Sequence, residues 1–177
     1  MIMDVKIRPA RIADIPAVAQ VHLLTSKIAY RGILDQDLLN ALSLSGRIAL
    51  WETRYASMGP QGQLWIQSLG SNIVGFALCD TLDDQVATTT ACELKSFYIT
   101  PNYWGAGLGA RLIAHAMQSF KDRGFESMIL WTIRKNARAR AFYDRLGFCF
   151  DGGTRHTRRE EAGQTLEYEE VRYVRTL

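Results

Sequence analysis

The stretch Glu93-Leu94-Lys95-Ser96-Phe97-Tyr98-Ile99-Thr100-Pro101-Asn102-Tyr103-Trp104-Gly105-Ala106-Gly107-Leu108-Gly109 decides the reading of this chain. Cys92 to Thr100 has the extended pattern of a strand and stops at Pro101. Glycines then alternate at 105, 107 and 109, and a helix opens inside the turn. Leu108, Leu112, Ile113, Ala116 and Phe120 follow at helical spacing up to Arg123, with Gly124 placed as a C-cap. Backbone N–H groups at a helix start, uncovered by Cβ atoms, form an anion site suited to a pyrophosphate. The same glycines satisfy G-x-G-x-x-G/A, but a dinucleotide turn follows its strand directly. Here five residues separate Ile99 from Gly105, and Glu126 stands before the next strand rather than at its end. No G-x-x-x-x-G-K-[ST] occurs. The dinucleotide and nucleoside-triphosphatase readings are set aside.

Upstream, Val5 to Arg8 reads as a strand stopped by Pro9, with Asp14 as a helix cap and Pro16 in the first turn. Ile15, Val18, Ala19, His22 and Leu23 continue that helix, and a second helical stretch runs from Asp35 to Met58, broken near Ser43–Ser45. Leu64 to Leu69 and Ile73 to Thr81 read as a hairpin around Gly70-Ser71-Asn72. Downstream come a strand at Met128–Ile133, a helix at Asn136–Leu146 closed by Gly147, and a strand starting at Phe148-Cys149-Phe150. Asp151 to Thr165 reads as a polar loop and Leu166 to Val174 as the last strand. Asn136 and Tyr143, seven residues apart, share one helix face, whereas Phe142, Leu146 and Phe148 read as core. The order predicts an α/β (α+β) domain with a mixed, mostly antiparallel central sheet flanked by helices. No linker or repeat interrupts residues 1–177, so one domain is expected.

Composition agrees with this. The chain has 177 residues, 47% hydrophobic and 22% charged, with formal charge +3, which gives no support for a nucleic-acid partner. The longest apolar run, Ile73 to Cys79, is seven residues, against the ~20 a bilayer span needs. No basic-then-apolar leader follows Met1. Cys79, Cys92 and Cys149 read as reduced core residues, which places the chain in the cytoplasm. His22, His115 and His156 share no ligand spacing, so no metal is expected. The basic run Thr154–Arg159, followed by Glu160-Glu161, reads as a solvated loop, or as one that contacts an acidic substrate or lies over the substrate site.

The glycine turn and the Asn136 helix together resemble the GNAT superfamily of N-acetyltransferases. Tyr103-Trp104-Gly105-Ala106-Gly107-Leu108-Gly109 is similar to its pyrophosphate loop, and Asn136…Ala139…Phe142-Tyr143-x-x-Leu146-Gly147-Phe148 to its second motif. Ile7-Arg8-Pro9-Ala10, Asp14-Ile15-Pro16 and Ala29–Leu34 are also like members. The resemblance implies the GNAT fold and acetyl-CoA (coenzyme A after transfer) as co-substrate. It implies that the backbone of Phe97, Tyr98 and Ile99 pairs with the pantetheine arm. The amides of Gly105, Ala106, Gly107, Leu108, Gly109 and Ala110 would hold the pyrophosphate, and Asn136 would bond the cofactor. Tyr143 matches the residue that protonates the departing thiolate, and Glu93 a position where some members carry their base. Two positions depart: Trp104 stands where Gln or Arg is commoner, and Trp131 where other members have a glutamate. Arg111, Lys135, Arg138 and Arg140 are candidates for the 3′-phosphate, and Tyr30 and Trp51 for the acceptor cleft.

The chemistry asks for few groups. An amine of lysine type, pKa ~10.4, must lose a proton before it attacks, so a carboxylate acting directly or through water serves as base. The thioester oxygen needs an N–H donor, for which the backbone at Ile99 is the candidate. The expected activity is transfer of acetyl to a primary amine in a ternary complex, by a protein that leaves room for a homodimer. Two alternatives stand beside it: an idle acyl-CoA-binding module, and an O-acetyl or longer-acyl transferase on the same fold. The sequence does not specify the acceptor.

Overall fold

In the computed structural model, which describes residues 4–82 and 90–177, one sheet of seven strands carries helices on both faces. The strands are β1 (Val5–Pro9), β2 (Gln63–Leu69), β3 (Asn72–Thr81), β4 (Ala91–Ile99), β5 (Ser127–Ile133), β6 (Cys149–Glu161) and β7 (Gln164–Thr176), in the order β1-β2-β3-β4-β5-β7-β6. Every neighbouring pair is antiparallel except β4 and β5. The helices are α1 (Ile15–Ala29), α2 (Gln36–Ala41), α3 (Leu44–Ala56), α4 (Leu108–Asp122) and α5 (Ala137–Arg145). The expected mixed, mostly antiparallel sheet flanked by helices is what is found.

Each sheet face has its own core. On one, α4 lays Leu112, Ile113, Ala116, Met117 and Phe120 against Cys92, Leu94, Met128 and Leu130 of the central strands. On the other, α1 and α3 pack Ile15, Val18, Ala19 and Trp51 against Leu64, Ile66, Phe76 and Leu78. Trp51 is wholly buried, and its indole N–H donates to Nδ1 of His22 at 2.9 Å. Trp51→Phe removes that donor and leaves a gap, so about 1–3 kcal/mol of stability should be lost. Denaturant unfolding checks this; an unchanged midpoint would mean that the contact contributes nothing.

Local chemistry sets the element ends that matter for the site. Asn136 caps α5 by accepting from the Ala139 N–H at 3.1 Å. Gly147, at φ +78°, lets the chain turn back so that the Phe148 N–H reaches the Tyr143 carbonyl at 3.1 Å. The Leu146-Gly147-Phe148 motif is therefore a helix stop that packs Phe148 beside Tyr143. Asp14 precedes α1 as expected, but its carboxylate makes no cap bond there. It takes both Nη atoms of Arg8, at 2.7 and 2.8 Å, and the Arg11 N–H.

Two expectations need correction. Asp151 to Thr165 is not a loop: β6 pairs with β7 up to Glu161↔Gln164, with Ala162 and Gly163 at the tip. β6 is the outermost strand, exposed along most of its length, so it lacks the apolar alternation by which strands are recognised. Cys149 lies on that exposed strand rather than in the core; Cys79 and Cys92 are buried, and all three are free thiols. No helix among the described residues is long and apolar enough to cross a membrane.

Candidate active site

The site opens where the sheet divides. β4 and β5 pair with each other only over Ala91–Leu94 and Ser127–Leu130; beyond that β4 runs on to Ile99 beside β3, and β5 to Ile133 beside β7, with a gap between them. The cause lies in β4. Cys79 faces Leu94 and Leu78 faces Ser96, so Lys95 is one residue too many, a bulge that bends and twists the strand away from β5. A cleft of about 480 Å³ fills the gap.

The backbone of β4 supplies groups to this cleft. The Thr100 N–H bonds the Val74 carbonyl at 2.8 Å, on the β3 side. Alternation along an antiparallel strand then turns the Ile99 N–H the other way, into the split. The Ile99 carbonyl is already taken, by the Trp104 indole N–H at 2.7 Å and the Thr25 hydroxyl at 3.3 Å. Trp104 thus braces the strand end, and the Arg138 guanidinium lies 3.2 Å over its ring.

At one end of the cleft sits the glycine turn. Gly105 and Gly107 have φ of +79° and +77°, and a Cβ on either would project into open space. Arg111 makes the first helical bond, to Gly107, so the N–H groups of Leu108, Gly109 and Ala110 at the start of α4 have no intrahelical partner. Gly109 serves packing: a Cβ there would stand 3.1 Å from both Phe97 and Phe142, whose rings stack. The Ala106 N–H is directed to the Tyr103 carbonyl at 3.3 Å, and neither Ala106 nor Leu108 lines the cleft.

Tyr143 lines the cleft and is otherwise buried, wedged by Phe142, Phe148 and Tyr173. Its hydroxyl has no hydrogen-bond partner among the described residues, and burial holds its pKa well above the ordinary tyrosine value. Asn136, also buried, lines the cleft two turns earlier. Its Oδ1 is spent on the cap, which leaves the side-chain NH₂ for a bound molecule.

The far end of the cleft, on the α1 and α3 side, was not legible beforehand apart from Tyr30 and Arg159. His22, Arg54, Ser96, Tyr168 and Glu170 line it with these two. The Tyr30 and Tyr98 hydroxyls stand 3.1 Å apart. His22 is buried, and burial with the fields of Arg47, Arg54 and Arg159 depresses its pKa well below the usual imidazole range. It is neutral at pH 7. Because Nδ1 accepts from Trp51, the proton sits on Nε2, so the ring is a donor and is unsuited to take an amine's proton. These residues come from five separate elements, which no local sequence pattern could assemble.

Glu93 is placed differently from the other expected residues. Cys92 and Leu94 point into the α4 core, so Glu93 between them faces the α1 and α3 side, but it stands in the closed part of the sheet, opposite Asp80 and Ile129. It does not line the cleft. Trp131 does, with the Arg155 guanidinium 4.3 Å over its ring. Among the described residues no cluster of His, Cys, Asp and Glu could hold a metal.

Comparison with known proteins bears on this arrangement. Residues 35–148 match the acetyltransferase (GNAT) family. The chain is 30% identical over 154 residues to a probable N-acetyltransferase of Mycobacterium tuberculosis, covering 85% of this chain and 83% of that one. Among solved structures, the PaiA N-acetyltransferase of Thermoplasma acidophilum in complex with coenzyme A superposes with a TM-score of 0.75 at 17% identity, over 99% of this chain and 100% of that one. An acetyltransferase of Salmonella typhimurium with acetyl-CoA gives 0.66 at 17% identity, over 97% and 93%. These two likenesses are of fold.

Proposed function

The chain belongs to the GNAT acetyltransferase family, and on that premise we propose that it moves an acetyl group from acetyl-CoA directly to a primary amine within a ternary complex. The observation that carries the proposal is the parting of β4 from β5 beyond Leu94 and Leu130, with the glycine turn at one end of the gap. The residues fit the co-substrate. Open space at Gly105 and Gly107 and the unpartnered first-turn amides of α4 suit a pyrophosphate, and the exposed β4 edge suits an amide-bearing arm. Within this proposal one domain carries both the donor and the acceptor ends of the cleft.

Acetyl-CoA, when bound, supplies a thioester with a thiol leaving group. The chain supplies the rest. The Ile99 N–H donates to the carbonyl oxygen as negative charge develops there. Tyr143, protonated at neutral pH, donates its hydroxyl proton to the sulfur. Glu93 accepts the amine proton through water, since its carboxylate faces the acceptor side without reaching the cleft.

That last role has a kinetic signature. Glu93→Gln should slow the reaction most at neutral pH, where the amine is mostly protonated, and raising the pH should recover part of the loss. An equal loss at every pH would make Glu93 a positional residue. Direct transfer is tested by initial rates with both substrates varied: intersecting lines and no acetylated protein are expected. Parallel lines with acetyl retained on the protein would overturn it. Product mass separates N-acetyl from O-acetyl or longer-acyl transfer.

A further inference from the structure

Arg54 and Arg159 line the acceptor end of the cleft, and a third guanidinium, that of Arg47, is buried close to them. Arg47 reaches Glu161 at 3.1 Å, and Arg159 reaches the same carboxylate at 3.5 Å. Arg54, on the last turn of α3, lines the cleft and has no carboxylate within ion-pair distance among the described residues. Among the described residues its only side-chain hydrogen bond is from Nη1 to the Ser96 hydroxyl at 3.3 Å, and it lies 5.2 Å over the Trp51 ring. The carboxylate that lines the cleft, Glu170, is held by Arg155 at 2.7 Å and Thr157 at 2.6 Å, so it neutralises neither Arg54 nor Arg159. Among the described residues, then, one carboxylate, Glu161, pairs with two of the three guanidiniums, and Arg54 is left without one.

Holding a half-buried guanidinium without a counter-charge costs stability. Burial, and the neighbouring Arg159 and Arg47, pull the Arg54 pKa below the usual arginine value. A fold that retains such a group in a cleft gains from it when an anion arrives, and a guanidinium fork suits carboxylate and phosphate oxygens.

We propose that Arg54 and Arg159 form an anion subsite, and that the acceptor is a small primary amine carrying a carboxylate, phosphate or phosphonate group. This rests on the acetyltransferase reading given above. The subsite also assists the chemistry, because nearby positive charge disfavours the ammonium form of the bound amine and so eases loss of its proton. An acceptor with several ammonium groups is disfavoured for the same reason.

The test compares amines matched except in the anionic group: an amino carboxylate, its primary amide, and the corresponding amino phosphonate, each with acetyl-CoA. Wild-type kcat/KM should favour the carboxylate or the phosphonate over the amide by roughly ten- to a hundred-fold. The higher of the two identifies the anion. Arg54→Gln should erase that preference, and Arg159→Gln should reduce it, with unchanged KM for acetyl-CoA. Equal wild-type rates for anion and amide, or a preference that survives Arg54→Gln, would overturn the subsite. If no amine is acetylated, the transfer reading fails, and the subsite is then judged by calorimetry on coenzyme A-loaded protein. There the anionic amine should bind at least about ten-fold tighter than its amide, and equal affinities would overturn the subsite.

Discussion

Tyr143→Phe is expected to lower turnover by roughly ten- to a thousand-fold, with coenzyme A affinity and melting temperature little changed. The substitution keeps the ring, which is held by Phe142, Phe148 and Tyr173, and removes only the oxygen. That oxygen has no hydrogen-bond partner among the described residues and borders the cleft. The effect is placed toward the low end of general-acid contributions because a thiol of pKa ~8.5 leaves readily even without help. Burial raises the Tyr143 pKa, so the acid form persists above the ordinary tyrosine value of ~10. The rate should therefore climb with pH as the amine loses its proton, without a falling limb from Tyr143 below about pH 10. Wild-type turnover in the phenylalanine variant would reduce Tyr143 to a packing residue.

Gly107→Val should weaken coenzyme A binding by roughly ten- to a hundred-fold, the worth of one charge-assisted hydrogen bond. Two causes act together. Gly107 sits at φ +77°, where a β-branched residue is strained, so the turn that aims the amides is distorted. The added carbons also project into space that is open in the protein alone, where phosphate oxygens must approach the N–H groups of Gly109 and Ala110. Gly107→Ala, with one carbon and no branch, should show a smaller loss. Calorimetry on folded protein measures both, and unchanged affinity in the valine variant would remove the pyrophosphate assignment.

The half of the cleft proposed to hold the donor was legible because it is local. A strand, a proline stop, alternating glycines and a helix start lie within residues 93–109, and Asn136 and Tyr143 share one helix face. The half proposed for the acceptor was not legible, apart from Tyr30 and Arg159. His22, Arg54, Ser96 and Tyr168 meet only after α1, α3, β4 and the β6–β7 hairpin have packed. The bulge at Lys95 was equally hidden, because an extra residue in a strand changes facing without changing composition. It matters for the site: it puts Ser96 and Tyr98 on the α1 and α3 side while Leu94 and Phe97 face α4 and α5. The hairpin was missed for a related reason, since an exposed edge strand carries polar residues on both faces.

The central claim is that the cleft transfers acetyl groups rather than merely holding acetyl-CoA. Incubation with acetyl-CoA and a panel of primary amines, read by thiol release together with product mass, tests it most directly. One thiol should appear for each amine that gains an acetyl group, and the protein itself should gain none. Tight binding of acetyl-CoA with no thiol released across the panel would contradict the account and leave an acyl-CoA-binding module in its place.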